Sequence, residues 1–527
     1  MLGGLLLALA WPRDGFPGLA LVGFIPFLFL EDHISRNRKD FHRFATLVYS
    51  FPGFLLWNGL TTWWIWNSTE IGAVLALLAN SFFMAVVFSL YSYAKRFVYG
   101  KGHGYFILPL FWMSFEYWHF NWDMSWPWLT LGNVFASYPE WVQWYEYTGV
   151  FGGTFWVLVM NVLFYRFIMI GCRQVEGKGR PWLLGIISLL LLIGPLWVSQ
   201  YLYDRYKESS QPVEVIISQA NLDPYTEQYE LPPIEVIEMN LDPVKTFVDD
   251  KTDFVICPES SIQEWIWEHN YEASPSLRYI NNFLREYPQV TVIIGASTFK
   301  EYFDGETPSY TARKFKDADV YYDAYNTVFY LDSTGEYRTY HKSKLTPAVE
   351  KMPFPKYLKF LENFAIDLGG TVGSLGTDDI RKVFIRPADS MKVAAIICYE
   401  SIYGEFISRF VRNGAEMIFI VTNDGWWGNT AGHRQHFSYA RLRAVETRRS
   451  IARSANTGIS AFIDQRGDVL QESPYWEPAV LKGKINASDR MTYYVLHGDY
   501  LARIAAFVSV LLLLIAVSLA LRKPGRL

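Results

Sequence analysis

At 527 residues, 51% of them hydrophobic and only 19% Asp, Glu, Lys or Arg, the chain is too long for one ordinary domain and too apolar to be all soluble. Its net charge of -4 gives no sign of a nucleic-acid partner. Three cysteines, Cys172, Cys257 and Cys398, with no CxxC pair and no His-rich spacing, indicate neither a disulfide framework nor a zinc site.

From Met1 to about Tyr203 the sequence is a succession of apolar blocks, and 17% aromatic content with 20 Trp suits a chain with long membrane-water interfaces. Spans are predicted near 2–12, 16–31, 44–66, 72–94, 105–120, 149–170 and 182–202, with an eighth at 501–521. The first is short and broken at Trp11-Pro12, which leaves half of a hairpin or a signal-like start as alternatives. With eight spans, four basic clusters fall on one side: Arg36 to Arg43, Lys95 to Lys101, Arg173 to Arg180, and Arg522 to Arg526. The positive-inside rule makes that side cytoplasmic. The expected division is therefore a transmembrane bundle at 1–203, an external domain at 204–498, and a final helix with a cytoplasmic tail at 499–527. The loop at 121–148 is external on the same count, and its Trp126-Pro127-Trp128 reads either as a re-entrant piece or as an aromatic belt. Glu116 is the clearest acid inside a predicted span, open to a pairing role or a proton relay.

After Pro212 the texture changes to strands alternating with helices. Strands are predicted at 213–220, 253–259, 290–297, 326–332, 337–342, 392–400, 417–424 and 459–472, and helices at 275–287 and 433–450. Tight turns at Ser333-Thr334-Gly335 and Gln465-Arg466-Gly467 imply antiparallel hairpins among crossover units. Nearly continuous apolar strands mean sheets covered on both faces, which predicts an α/β two-sheet sandwich with helices outside.

Three of these strands end in residues that do chemistry. The strand at 253–259 ends in Pro258-Glu259-Ser260, the hairpin strand in Tyr340-His341-Lys342, and the strand at 392–400 in Cys398-Tyr399-Glu400. Cys398 sits where the strand turns into an amphipathic helix, a place that exposes a thiol to helix N–H groups. A thiolate is a nucleophile, a neighbouring carboxylate can take its proton, and a lysine ammonium steadies the anion on an attacked carbonyl. Glu259, Lys342 and Cys398 supply base, cation and nucleophile.

Three such endings in the order Glu, Lys, Cys resemble the nitrilase (carbon-nitrogen hydrolase) superfamily, which implies an αββα sandwich. Placed between a multi-span segment and one last span, the domain resembles the apolipoprotein N-acyltransferase family. The matching pieces are PWLTLG after Trp126, PES at 258–260, the stretch at 340–354, CYES at 398–401, TNDGWWG at 422–428 and the stretch at 435–467. Two departures, PAVE where the family has PFGE and Cys257 where a Trp often stands, leave the triad untouched. The resemblance implies Glu259 as general base, Lys342 as oxyanion partner and Cys398 as nucleophile. It adds Glu350, Tyr399 and Glu400 as supporting residues.

The implied reaction moves an acyl chain from a membrane phospholipid, through a cysteine thioester, to the α-amine of an S-diacylglyceryl-cysteine lipoprotein, with no cofactor. The implied place is the bacterial inner membrane, with the catalytic domain periplasmic. A membrane-anchored amidase is the alternative, and a transporter with an external binding module is a third reading. Trp426 and Trp427, flanked by glycines, read either as an apolar lid or as surface aromatics packed on the domain. The segment 351–364 reads as a stretch resting at headgroup level.

Overall fold

The computed structural model describes residues 1–12, 14–100, 102–171, 181–303, 305–315, 318–347, 349–351 and 374–522. These form two compact units, Met1–Tyr206 with His497–Leu527, and Lys207–Leu496. The predicted headgroup segment after Lys351, the basic residues at 173–180 and 523–526, Lys101 and Cys172 lie outside the described residues.

In the first unit the helices are α1 (Leu2–Ala10), α2 (Ile25–Arg36), α3 (Ala45–Thr62), α4 (Glu70–Val98), α5 (Leu108–Asn121), α6 (Val150–Gly171), α7 (Pro181–Arg205) and, from the chain end, α12 (Tyr500–Arg522). Among the described residues five helical segments are long and apolar enough to cross a membrane: Pro17–Arg36, Glu70–Val98, Val150–Gly171, Pro181–Arg205 and Tyr500–Arg522. Of the eight expected spans, those at α1, α3 and α5 fall short. At 1.5 Å per residue, α1 rises only about 14 Å and α5 about 21 Å, against roughly 30 Å of hydrocarbon. In α3, Pro52 and the buried Asn58, Thr61 and Thr62 dilute the apolar run.

The interior of this unit is aromatic, with Phe27 stacked on Phe54 at 4.4 Å and Phe24 edge-on to Trp112 at 4.7 Å. Helix α1 meets α3 through glycine, since a Cβ on Gly4 would lie 2.0 Å from the Gly53 carbonyl oxygen. Glu116 takes the pairing role. Its carboxylate accepts from the Leu131 N–H (2.8 Å), the Thr154 hydroxyl (2.7 Å) and the Trp112 indole (3.1 Å). The loop after α5 is thereby folded onto α5 and α6 as a run of 3-10 turns, with Trp128, Leu129 and Leu131 buried.

The second unit holds strands β1 (Pro212–Gln219), β2 (Phe254–Ile256), β3 (Ile262–Trp267), β4 (Thr291–Tyr302), β5 (Arg313–Lys314), β6 (Tyr321–Leu331), β7 (Arg338–His341), β8 (Phe384–Ile385), β9 (Lys392–Ile397), β10 (Met417–Thr422), β11 (Ile451–Ala455), β12 (Ala461–Ile463), β13 (Val469–Glu472) and β14 (Ala479–Asn486). Its main helices are α8 (Pro233–Lys245), α9 (Pro275–Glu286), α10 (Gly404–Arg412) and α11 (Ala431–Thr447). One sheet runs β14-β1-β2-β4-β6-β5, with β3 on β4 and β7 on β6; the other runs β13-β12-β11-β10-β9-β8.

The period-2 alternation of strands sorts side chains between layers. Val255 and Ile216 face outward to Ile237, Leu241, Ile280 and Phe283 of α8 and α9. Phe254 faces inward and meets Phe419 of the other sheet edge-on at 5.0 Å. The result is the αββα sandwich the sequence led us to expect.

Both predicted hairpins form, with Gly335 (φ 76°) and Gly467 (φ 87°) supplying the left-handed turn residues. Five strands escaped the sequence reading. In β11 the alternation is broken by Arg453 and Ser454, both buried polar residues, and the predicted helix at 433–450 stops at Thr447, where Arg448 turns left-handed (φ 51°). Of the others, β5 and β8 are only two residues long, and β3 and β14 bury too few side chains to show a clean pattern.

Candidate active site

The strands β1, β2 and β4 of one sheet are parallel, as are β9, β10 and β11 of the other. Side chains just beyond the carboxyl ends of such strands collect around one crevice, the usual place for a site in an α/β fold. Glu259 follows β2, Lys342 follows β7, Cys398 follows β9 and Asn423 follows β10.

Lys342 is buried, and its Nζ lies 3.0 Å from Glu259 Oε1 and 2.8 Å from Glu350 Oε1. Asn326 of β6 donates to the same two oxygens, at 2.8 and 3.1 Å. The Asn423 N–H reaches from the second sheet to Glu259 Oε2 at 3.1 Å, and the Thr346 N–H holds Glu350 Oε2 at 2.8 Å. Burial works against the charge on Lys342, yet the two carboxylates hold its ammonium well above the ordinary lysine range. Burial likewise opposes ionisation of Glu350, and Lys342 outweighs it, keeping that carboxyl below its usual value.

Glu259 can come this close because Gly295 stands behind it. A Cβ there would lie 2.6 Å from the Glu259 Cα. A glycine inside the apolar run VTVIIGAS was a readable signal of such an approach.

Cys398 keeps partial exposure, whereas Cys257 is buried in the core between β2 and the outer helices. The backbone of Cys398 is left-handed (φ 46°), a conformation costing a non-glycine residue about 1–3 kcal/mol and typical of functional sites. Burial, then the charge of Glu259, pushes the thiol up from its ordinary value, while Lys342 pulls it down. One expectation is corrected here: Cys398 does not open an α-helix but a 3-10 turn, Cys398–Ile402, and α10 starts only at Gly404 after the extended Tyr403. The turn is set by Glu400, whose side chain folds back onto the Ile397 N–H at 2.9 Å.

Glu400 and Tyr399 flank the nucleophile in different ways. The Glu400 carboxylate also accepts from Tyr340 Oη (2.7 Å) and the Ser343 N–H (2.7 Å), tying the strand end that bears Cys398 to the one that bears Lys342. Tyr399 is buried edge-on against Tyr403 at 5.4 Å.

Behind Cys398 lies a second, wholly buried network that sequence reasoning missed. Asp424 Oδ1 accepts from His436 Nδ1 at 2.9 Å and from the Thr422 hydroxyl at 2.9 Å, and Asp424 Oδ2 from Arg453 at 2.5 Å. The other imidazole nitrogen, Nε2, lies 2.9 Å from Ser401 Oγ and 3.2 Å from the carbonyl oxygen of Cys398. Burial opposes the Asp424 charge, but Arg453 and His436 prevail and hold that carboxyl far below its usual range. Neither indole of the predicted lid stands free: Trp426 is edge-on to Tyr225 at 5.1 Å, and Trp427 is edge-on to His436 at 5.5 Å.

A two-sheet sandwich with cysteine, lysine and two glutamates gathered at its strand ends defines a carbon-nitrogen hydrolase domain, and the family model for carbon-nitrogen hydrolase matches residues 231–493. A second model, that of the apolipoprotein N-acyltransferase N-terminal domain, matches residues 3–163. Apolipoprotein N-acyltransferase of Chlorobaculum tepidum is 29% identical over 531 residues, covering 98% of this chain and 95% of that one. The Geobacter metallireducens enzyme of the same name is 27% identical, with 95% and 91% covered. The chain belongs to the apolipoprotein N-acyltransferase family. Among solved structures, Saccharomyces cerevisiae Nit3 of the nitrilase superfamily aligns with 55% of this chain and 95% of its own at 14% identity, with a TM-score of 0.36.

Proposed function

We propose that this chain transfers an acyl group from a membrane phospholipid to the N-terminal α-amine of S-diacylglyceryl-cysteine lipoproteins, in two steps through a thioester on Cys398. The observation that carries the reading is the pairing of one left-handed, partly exposed cysteine with an ion-paired Glu259–Lys342–Glu350 set in which Glu259 and Lys342 are buried, in a chain whose two parts match the two family models. Membership of that family favours acyl transfer over the amidase alternative.

In the first step the Cys398 thiol gives its proton to Glu259 as sulfur bonds to the ester carbonyl carbon, and Lys342 faces the oxygen that takes the electron pair. The C–O bond then breaks, and the lysophospholipid oxygen leaves with the proton held by Glu259. In the second step the α-amine attacks the thioester, Glu259 takes a proton from nitrogen and returns one to the departing sulfur, and the thiol is restored. The net charge of Glu259, Lys342 and Glu350 is -1, so the proton shift to Glu259 leaves the total unchanged while negative charge migrates to sulfur and then to oxygen. Glu350, held by Lys342, Asn326 and the Thr346 N–H, keeps Lys342 in place while Glu259 cycles. No bound metal is needed for this charge balance.

The catalytic unit is proposed to face the periplasm of a bacterial inner membrane, where diacylated lipoproteins present their amino termini. The basic residues Arg36, at the end of α2, and Arg38, Lys39 and Arg43, just after it, support that orientation. The test is mass spectrometry of purified protein mixed with phospholipid. An acyl adduct on Cys398, discharged by diacylglyceryl peptide with formation of an amide, is the expected result. An adduct on Cys257, or free fatty acid as the main product with peptide in excess, would refute it.

A further inference from the structure

The membrane unit contains a pocket of about 90 Å³ between the end of α2, the start of α3 and the last turns of α4. Three arginines, Arg38, Arg43 and Arg96, line it together with Ser35, Ser89 and Ser92. Arg38 gives one Nη to the Phe41 and His42 carbonyls, at 2.8 and 2.6 Å, which fixes its direction. Arg96 is held over the Phe97 ring at 4.6 Å, and its Nε is buried with no hydrogen-bond partner.

Among the described residues no carboxylate is paired with any of the three. Glu31 and Asp32, on α2, are engaged elsewhere, and Asp40, in the loop that carries Arg38 and Arg43, does not line the pocket. Glu31 takes Lys95 and the hydroxyls of Ser35 (2.8 Å) and Ser92 (2.7 Å), and Asp32 takes Arg36 at 2.6 Å and Tyr105 at 2.5 Å. Three like charges on residues that line one space repel unless an anion joins them. The first turn of α3 points the same way: Thr46 and Leu47 also line the pocket, at positions whose N–H groups lack an intrahelical acceptor, and no side chain caps that helix.

We infer that this pocket binds a phosphate group, and that its occupant is the phosphodiester headgroup of an anionic phospholipid rather than free phosphate. Guanidinium forks match phosphate oxygens two at a time, and a basic pocket between membrane helices is a headgroup receptor by its chemistry. The lipid is favoured by what flanks the pocket. The lining residue Phe44 is exposed, as are Val48, one turn further along α3, and Leu90 of the apolar α4, which gives acyl chains a surface to lie on. This site shares no residue with the catalytic unit.

The test uses the whole protein in nanodiscs of phosphatidylcholine with a minor fraction of phosphatidylglycerol, released for native mass spectrometry. Wild type should retain one phosphatidylglycerol. Each of Arg38→Gln and Arg96→Gln should weaken retention roughly tenfold, and the pair should abolish it. Lys39→Gln removes the same charge from the same loop without lining the pocket, and should retain the lipid like wild type. Acyl transfer by the double variant confirms that it is folded. In a second arm, inorganic phosphate is titrated into the protein in pure phosphatidylcholine. If phosphate raises the unfolding temperature as much as phosphatidylglycerol does, and Arg38→Gln removes both effects, the phosphate site stands and the lipid assignment falls. Equal retention by wild type and the double variant, or equal loss in Lys39→Gln, would overturn the inference, because the arginines would then act only as diffuse surface charge.

Discussion

Replacing Asp424 by Asn tests whether the buried network behind the nucleophile matters to stability and to rate. The substitution keeps size and shape, but one of the two oxygens, which between them accept from His436, Thr422 and Arg453, becomes an NH2 group. Arg453 is wholly buried, and among the described residues it pairs with no other carboxylate. Breaking a buried ion pair from one side leaves an uncompensated charge and costs about 3–5 kcal/mol. At about 2–4 °C per kcal/mol for a large domain, the catalytic unit should unfold roughly 10 °C earlier. Arg453→Met should cost a similar amount by stranding the anion. The double variant buries neither charge alone and should recover about 2 kcal/mol or more of the summed loss. Function should follow, because His436 would lose the partner that aims it at the Cys398 carbonyl and at Ser401. Acyl-enzyme formation, timed by mass spectrometry at a temperature where the variant is folded, should slow by about 10–100-fold. If Asp424→Asn melted within about 2 °C of wild type, or the two single losses simply added, the network would not be the coupled unit described.

Cys398→Gly should melt later than Cys398→Ala, by about 1 kcal/mol of stability, since only glycine is free of strain at φ 46°; the reverse order would show that the elbow relaxes. His433 is stacked on Tyr475 at 3.7 Å, and burial lowers its pKa from 6.5 to about 4. The unfolded chain therefore takes up a proton first as pH falls, so this contribution is complete above about pH 6.5 and is lost between there and about 4, with roughly 2 kcal/mol gone at pH 5. His433→Gln should flatten the melting temperature between pH 7 and 5, and an unchanged slope would assign the acid sensitivity to other groups. If Trp426 and Trp427 keep water from the thioester, changing both to Ala should raise fatty acid release relative to transfer. Partitioning like wild type, with both products measured on one preparation, would reduce them to packing residues.

Why some of the site was legible and some not follows from where the signals sit in the chain. Glu259 and Cys398 follow apolar strands, and Lys342 closes the hairpin strand that the Gly335 turn announces, so all three are marked by signals a few residues long. His436, Asp424 and Arg453 lie 12 and 17 residues from their neighbours in the set, on a helix, a loop and a strand, and nothing in their spacing announces the contact. Arg453 even hid its own strand, because a buried arginine looks like a surface residue until its partner is known. Asn326 and Asn423 bind Glu259 from different sheets, a relation that only the fold creates. The membrane half was legible as apolar blocks, but block length overstated α1 and α5, since hydropathy does not register where a helix breaks.

Glu259 and Lys342 stand on one sheet and Cys398 on the other, so the thickness of the sandwich core sets the reach of the proton transfer. A contact such as Phe254 on Phe419, in the layer between the two sheets, then works as a spacer for the chemistry. Filling or hollowing that layer moves acid and nucleophile apart or together before it unfolds anything. Core substitutions in this enzyme should therefore be read as rate variants as well as stability variants, and hydrostatic pressure, which thins loosely packed layers, becomes a continuous dial on the same distance.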